Sequence, residues 1–541
     1  MSFHDTTCIL FRAIRLLMVL ALCLTSVVVG FAQQPPQPKP FYFIREYRVS
    51  GSTLVAGEDI SKVVYPFLGP GRTAEDIEQA RVALEKLFHG RGYQAVTVNI
   101  PQQSGRRGII RMEVVEARVG HLNVNGARWH LPSAIRRKAT SMAPGQRPSF
   151  HEIERDVIAL NQSADMRVKP RLTPTADPAV LDFDLDVEDK LPLHGSFEIN
   201  NRYSPFTVPY RLNGSISYEN LWQLGHSLSL SVQIAPERLK DGEVYTGSYA
   251  IPLSDDVNFV VSGMRQKSNI NTLGNSSVIG QGTMLGLSVS RDLEIRNGLI
   301  HSVSFGIDYK DFNQTTLPGG NDVGVSAPVQ YWPLNLTYNA ALVGKSSFTS
   351  GSLSLHWAFR RAGSNRQDFE NRRFNADSGF LYLRGDVSHL QDLSHGWQLF
   401  VRGAGQLTGN PLINNEQFVA GGQASVRGYL ESVALGDNGV TGTIELKSPS
   451  FLGPRTGKQE NGTASPSEWR VHAFADGGLL SINDGLPEQA EESTLASVGV
   501  GTELRLQEHW HALLNLGFPL LDVDPIRRGE LLLSFRLWAE F

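Results

Sequence analysis

The sequence predicts two architectures in one chain: tandem small α+β modules, then a 16-stranded antiparallel transmembrane β-barrel. Three observations carry this. A unit of about 75 residues occurs twice in the N-terminal third. From His194 onward the helical period gives way to short alternating runs separated by Gly, Asn, Asp and Pro. The final run, Leu531 to Phe541, alternates cleanly and closes on an aromatic.

Composition is compatible with both parts. A chain of 541 residues is too long for one soluble core. The charged fraction of 19% and the mean hydropathy of −0.18 look soluble. Transmembrane barrels look the same, because only every second residue faces lipid. The net charge is −4, and no concentrated basic face suggests a nucleic-acid partner.

Residues 1–32 read as a secretory signal peptide. Arg12 and Arg15 form the positive region, Leu16 to Val29 the apolar region, and Gly30-Phe31-Ala32 the cleavage site. The apolar run is shorter than the ~20 residues of a spanning helix. Leu22 before Cys23 argues against a lipoprotein. Both cysteines, Cys8 and Cys23, fall in this segment. The mature chain is therefore expected to hold no disulfide, no thiolate chemistry and no cysteine metal site.

Residues 33–40 form a Pro/Gln-rich linker. The first module is assigned to 41–117. It opens with a strand over Phe41–Val49 and a helix over Glu58–Phe67. Thr73, with Asp76 as capping-box partner, starts a second helix. Ile77, Ala80, Leu84, Leu87 and Phe88 follow at helical spacing, and Gly90 and Gly92 end it. Strands over Ala95–Pro101 and Ile109–Val115 complete the unit. The second module, 118–190, repeats this order. Thr73 to Leu84 matches Ser149 to Leu160 at an offset of 76 residues, and Val49-Ser-Gly51 matches Val124-Asn-Gly126 at 75. Ser149 to Glu152 is expected to cap the second module's long helix. His151-Glu152 is not a zinc motif, because a second His one turn on is missing. Val180 to Val187 closes the module as a one-sided strand. Order and lengths resemble the POTRA (polypeptide-transport-associated) module. The resemblance implies a sheet with a free edge, able to accept an extended client as an added strand.

The barrel is assigned to 191–541. Its sixteen strands are expected to start near Gly195, Tyr210, His226, Glu243, Val257, Thr283, Ile300, Tyr331, Ser350, Gly379, Trp397, Gly439, Trp469, Leu495, Trp510 and Glu530. Each is roughly ten residues, the length that crosses a membrane at a tilt. Leu221–Gly225, Pro252–Asp256 and Gln507–His509 are tight turns. Phe312–Gln330 and Arg361–Asp377 are long polar connections, which is the outer-membrane layout. Pro449–Glu468 is long on the short side, with no evident reason.

The longest connection, loop 409–438, carries Val426-Arg427-Gly428-Tyr429. The thirteenth run carries Phe474-Ala475-Asp476-Gly477-Gly478. Asn220-Leu-Trp-Gln-Leu-Gly225 and Glu445-Leu-Lys447-Ser-Pro449 are two further motif-like stretches. Together these resemble the two-partner secretion transporters (haemolysin secretion/activation proteins), the TpsB branch of the Omp85 superfamily, over residues 41–541. The resemblance implies that the loop folds back into the lumen and Arg427 pairs with Asp476. Val426, Gly428, Tyr429, Phe474 and Gly478 complete that lock, Glu445 belongs to the strand-twelve motif, and Phe541 is the outer-membrane sorting signal. The pairing is chemically apt, since Arg offers a planar fork to a carboxylate.

It further implies an outer-membrane protein with POTRA modules in the periplasm. Its expected partners are a secreted client polypeptide (a TpsA-like adhesin or haemolysin), membrane lipid and lipopolysaccharide, and the barrel assembly machinery during biogenesis. No cofactor, metal or nucleic acid is expected. Many family members carry a plug helix before the first module, and the short linker leaves no room for one, so a more open resting pore is expected. An insertase for other barrel proteins is the alternative, although such proteins usually carry more POTRA modules. A passive porin has no use for these modules. An enzyme is disfavoured by the lack of a metal cluster or nucleophile motif.

Overall fold

The computed structural model describes residues 40–104, 107–267, 270–273, 276–279, 281–316, 325–452, 467–487, 489–507 and 509–541. The expected leader, nearly all of the linker and the centre of the 449–468 connection lie outside these residues. The chain divides into two compact units. One comprises residues up to 126 together with 135–188, and the other comprises 127–134 together with 189–541.

The first unit holds two three-stranded sheets. In one, Glu46–Ser50 runs parallel to Ile109–Glu116, which pairs antiparallel with Val96–Asn99. Helices Gly57–Val64 and Ala74–Gly90 cover one face, burying Ile60, Ala80, Leu84 and Phe88 against Tyr47, Val98, Met112 and Val114. Thr73 and Asp76 form the expected reciprocal capping box. The first strand departs from expectation. It breaks at Arg45, because the Gly108 carbonyl takes the N–H groups of both Arg45 and Glu46. Its first piece, Tyr42–Ile44, pairs with Gly69–Arg72 instead.

In the other sheet, Arg118–Asn125 runs parallel to Val180–Asp189, with Met166–Pro174 on the far side. Helices Pro132–Lys138 and Phe150–Leu160 complete the repeat. Ser149 does sit at the N-cap, but its side chain makes no capping bond, contrary to expectation.

The duplication extends to its turns. Gly51 and Gly126 both have φ +85°, and an added Cβ on either would strike a carbonyl, of Val114 or of Val187. Only glycine fits both constraints. Beside Gly51, the Glu116 carboxylate accepts the N–H groups of Thr53 at 2.6 Å and Leu54 at 2.9 Å. In the barrel unit, Asp189 accepts those of Arg128 at 2.9 Å, Trp129 at 2.6 Å and His130 at 2.9 Å.

The second unit is a closed barrel of sixteen strands. They are Leu193–Asn200, Arg211–Leu221, His226–Ile234, Glu243–Pro252, Val257–Gln266, Gln281–Asp292, Leu299–Thr316, Val325–Val343, Ser347–Gly363, Phe380–Asp392, Gln398–Thr408, Asn438–Lys447, Ser467–Ser481, Glu492–Leu506, Trp510–Pro519 and Leu532–Glu540. All neighbours are antiparallel, and the sixteenth strand closes on the first from Arg536↔Asn200 to Glu540↔Ser196. The strand count and order follow the sequence, but several lengths do not, strands thirteen and fourteen having 15 residues each. Strands seven, eight and nine have 18, 19 and 17 residues. The connection expected at Phe312–Gln330 is thus mostly strand, paired out to Thr316↔Val325.

Alternation sets the two faces. On strand twelve Val440, Ile444 and Leu446 point outward, while Thr441 and Glu445 are buried inside. Trp222, Trp397, Trp469 and Trp510 are exposed at the ends served by the tight turns, as an interfacial aromatic girdle requires. Phe541 joins them at 70% exposure. Its N–H and C=O pair reciprocally with Gly195 at 3.0 and 2.9 Å.

Candidate functional site

Loop 409–437 leaves strand eleven and returns to strand twelve. A short ladder, Phe418–Ala420 with Ala434–Gly436, forms its stem. Beyond the stem the chain turns inward, and Val426 and Tyr429 are fully buried. They pack with Phe418, Leu430, Leu480, Leu495 and Ile526, an apolar cluster inside a polar lumen. Burying this much apolar surface seats the tip without directional bonds.

Directional bonds then fix Arg427. Its Nε donates to Asp476 Oδ2 at 2.9 Å and its Nη2 to Asp476 Oδ1 at 2.9 Å. Its backbone N–H donates to Asp476 Oδ2 at 3.0 Å. Nη1 donates to Glu445 Oε2. The guanidinium lies 3.6 Å from the centroid of Phe474, a cation–π contact on its remaining face. Arg427, Asp476 and Glu445 are 7%, 5% and 7% exposed. A buried charge is tolerable only when paired and fully hydrogen-bonded, and this one is. Lys447 offsets the second carboxylate, lying 3.6 Å from Glu445 and 2.9 Å from Glu503.

Register explains the convergence. Thr443 faces Asp476, and Glu445 faces Phe474 across strands twelve and thirteen. Both carboxylates therefore point into the lumen one step apart. Gly428 donates its N–H to Ser497 Oγ at 3.1 Å. The Tyr429 hydroxyl lies 2.9 Å from the Leu521 carbonyl and 3.1 Å from that of Ala496. A Cβ on Gly478 would meet Thr441 and Val426 at 3.3 and 3.4 Å. Every residue singled out around the loop thus meets here, and Phe541 alone lies elsewhere, on the seam. Asn220 forms its turn by accepting the Gly225 N–H at 3.2 Å. Gln223, in the same turn, accepts the N–H of Leu131 at 3.0 Å, within the barrel unit.

Sequence reasoning missed the loop's root. Glu416 is 1% exposed and accepts from Lys310 Nζ at 2.6 Å, Tyr331 Oη at 2.5 Å and Tyr382 Oη at 2.7 Å. Asp437, fully buried, forks with Arg373 and accepts the N–H groups of Leu412 at 3.0 Å and Asn483 at 2.7 Å. Glu431, on the tip, pairs with Arg202 at 2.8 Å. One signal was available: Lys310 is a charge in the inward register of strand seven. Glu416 itself sits in an ordinary polar loop sequence. Among the described residues no group of His, Cys, Asp and Glu could hold a metal ion.

Comparison with known proteins agrees with this arrangement. The family described as "Haemolysin secretion/activation protein ShlB/FhaC/HecB" matches residues 182–504, and "POTRA domain, ShlB-type" matches 42–117. The outer membrane transporter CdiB of Dickeya dadantii (strain 3937) is 23% identical over 93% of this chain and 87% of its own. The solved CdiB from Escherichia coli superposes with a TM-score of 0.64 at 18% identity, covering 95% of this chain and 93% of that one. BamA from Haemophilus ducreyi lacking POTRA domains 1–3 gives 0.56 at 14%, covering 92% of this chain and all of that one. The chain therefore belongs to the ShlB/FhaC/HecB haemolysin secretion/activation family, the outer-membrane TpsB transporters of two-partner secretion, with its POTRA modules in the periplasm.

Proposed function

We propose that this transporter exports one client polypeptide, with the seating of loop 409–437 setting its transport-competent state. The buried Arg427–Asp476–Glu445 constellation carries this reading. A merely mechanical brace has no need of an ion pair on a loop, since apolar packing of similar volume stabilises as well. Paired charges are suited to a seat that must form in one register and still release.

The POTRA sheets have free edges, Val96–Asn99 in the first and Met166–Pro174 in the second. An unfolded client adds there as a further strand and passes into the barrel. No nucleotide takes part, and folding of the client outside draws the chain through. The client is a TpsA-like adhesin or haemolysin. Phe541, at the seam, is the sorting residue read by the assembly machinery.

One observation favours the alternative, an insertase. The ladder of the last strand with the first spans five register positions, with the Phe541–Gly195 pair one step beyond. A short seam opens at low cost and exposes two edges to a nascent strand. One experiment separates the readings: secreted and outer-membrane proteomes compared with and without this protein, and with Arg427→Ala. Loss of one large secreted protein, with the membrane fraction intact, is expected. General loss of barrel proteins would establish the insertase instead.

A further inference from the structure

Inward-facing hydroxyls line up across part of the lumen wall, away from the seat of the loop tip. The loop tip is bonded to strands eleven to fourteen and to Leu521 beyond strand fifteen, and Glu445, Lys447, Asp476 and Glu503 cluster beside it. Strands two to nine make up half of the circumference. There, Ser217, Ser229, Ser248 and Ser262 are direct cross-strand partners on strands two to five. Ser290, Ser304, Thr337 and Ser354 are direct partners on strands six to nine. These are inward positions, since their outward neighbours Leu230, Val261, Phe305 and Leu353 are large, apolar and exposed. Each of the eight strands thus presents a small neutral hydroxyl in one of two continuous rows.

We infer that these rows are the track along which the extended client backbone slides. The inference rests on the proposed transport function and names the surface that serves it. The argument is one of spacing and charge. Hydroxyls in each row stand about 4.8 Å apart across strands, so an extended backbone lying along a row meets a new hydroxyl before it has left the last. A serine hydroxyl both donates and accepts, so it satisfies an N–H or a C=O in any register. Rotation of the hydroxyl exchanges one partner for the next without moving the wall. The eight row positions carry no charge, and the charges in line with them, Asp308 and Arg384, lie beyond the rows' ends. The rows carry no large apolar or aromatic group, so no client side chain finds a pocket. The occupant is therefore an unfolded polypeptide recognised by its backbone, not by its sequence.

The test uses the full chain in planar bilayers, in a variant whose loop tip, 421–433, is replaced by a short Gly linker to open the lumen. The probe is a neutral 40-residue polypeptide of Ser, Asn and Gly, and the readout is the dwell time of each current blockade. Adding Ser229→Ala, Ser248→Ala and Ser262→Ala is expected to shorten the dwell time by about three-fold or more at unchanged open conductance. Equal dwell times with and without the hydroxyls would overturn the track while leaving transport standing. Absence of any blockade by the probe would overturn polypeptide passage itself, and the track with it. If the triple variant does not insert, Ser248→Ala alone gives the same comparison, with a smaller shortening expected and no change again overturning the track.

Discussion

Gly517 lies directly beneath Arg427: a Cβ at position 517 would stand 2.6 Å from the Arg427 carbonyl oxygen and 2.9 Å from Gly428 Cα. Both obstacles are backbone, so neither can rotate aside. Gly517→Ala is expected to lift the tip off strand fifteen at a cost of about 1–3 kcal/mol. Limited proteolysis reads this directly, as faster cleavage within 421–433. Unchanged protection would show that the backbone accommodates the methyl.

Arg427→Ala leaves the buried Asp476 without its partner, at a cost of about 3–5 kcal/mol, and Asp476→Asn, which leaves Arg427 paired with Glu445, is expected to cost less. Arg427→Lys is expected to rescue little, because an ammonium cannot fork across both Asp476 oxygens. The exchange Arg427→Asp with Asp476→Arg is also expected to fail, because the new carboxylate at 427 would face Glu445. Secretion and loop protection, measured on all four, check this. Full rescue by the exchange would show that Glu445 contributes nothing.

The loop's root makes a separate prediction. Tyr382→Phe removes one bond to Glu416 and is expected to cost about 1.5–3 kcal/mol, a hydrogen bond to a charged group. Combined with Arg427→Ala, it measures whether root and tip act as one body. Additivity within about 0.5 kcal/mol means two independent seats, and a larger departure means one.

Glu116 supplies a pH dependence in the first unit. Burial pushes its pKa up, but bonds from Thr53 and Leu54 and the Arg147 charge outweigh that and hold it below the ordinary 4.5. The sign follows from linkage: its stabilising contribution is fully present above the ordinary value and is lost as pH falls through the lowered one. Hydrogen exchange at the Thr53 and Leu54 amides, corrected for intrinsic rate, is expected to lose protection in that acidic window. Glu116→Gln should remove the pH dependence.

The sequence carried the architecture because each of its signals is local. Alternation marks a strand whatever its neighbours are, and Thr73 with Asp76 marks a helix start within four residues. The tip was legible because its motif is contiguous on both sides of the contact. Glu416 was not, because its partners Lys310, Tyr331 and Tyr382 come from three strands and meet only once the barrel closes. Strand ends failed for a related reason. Strands seven to nine continue beyond the membrane length, seven and eight by pairing with each other out to Thr316↔Val325, which composition does not record.

Those three strands have a consequence of their own. At about 3.3 Å per residue, 17–19 residues extend close to 60 Å, and even at a tilt near 45° they rise well above an apolar band of about 25 Å. The outer mouth is therefore uneven: strands seven and eight rise as a hairpin paired out to Thr316↔Val325, and strands thirteen and fourteen, paired to Ser481↔Glu492, rise on another arc. An emerging chain meets paired backbone at those two arcs before it reaches open solvent.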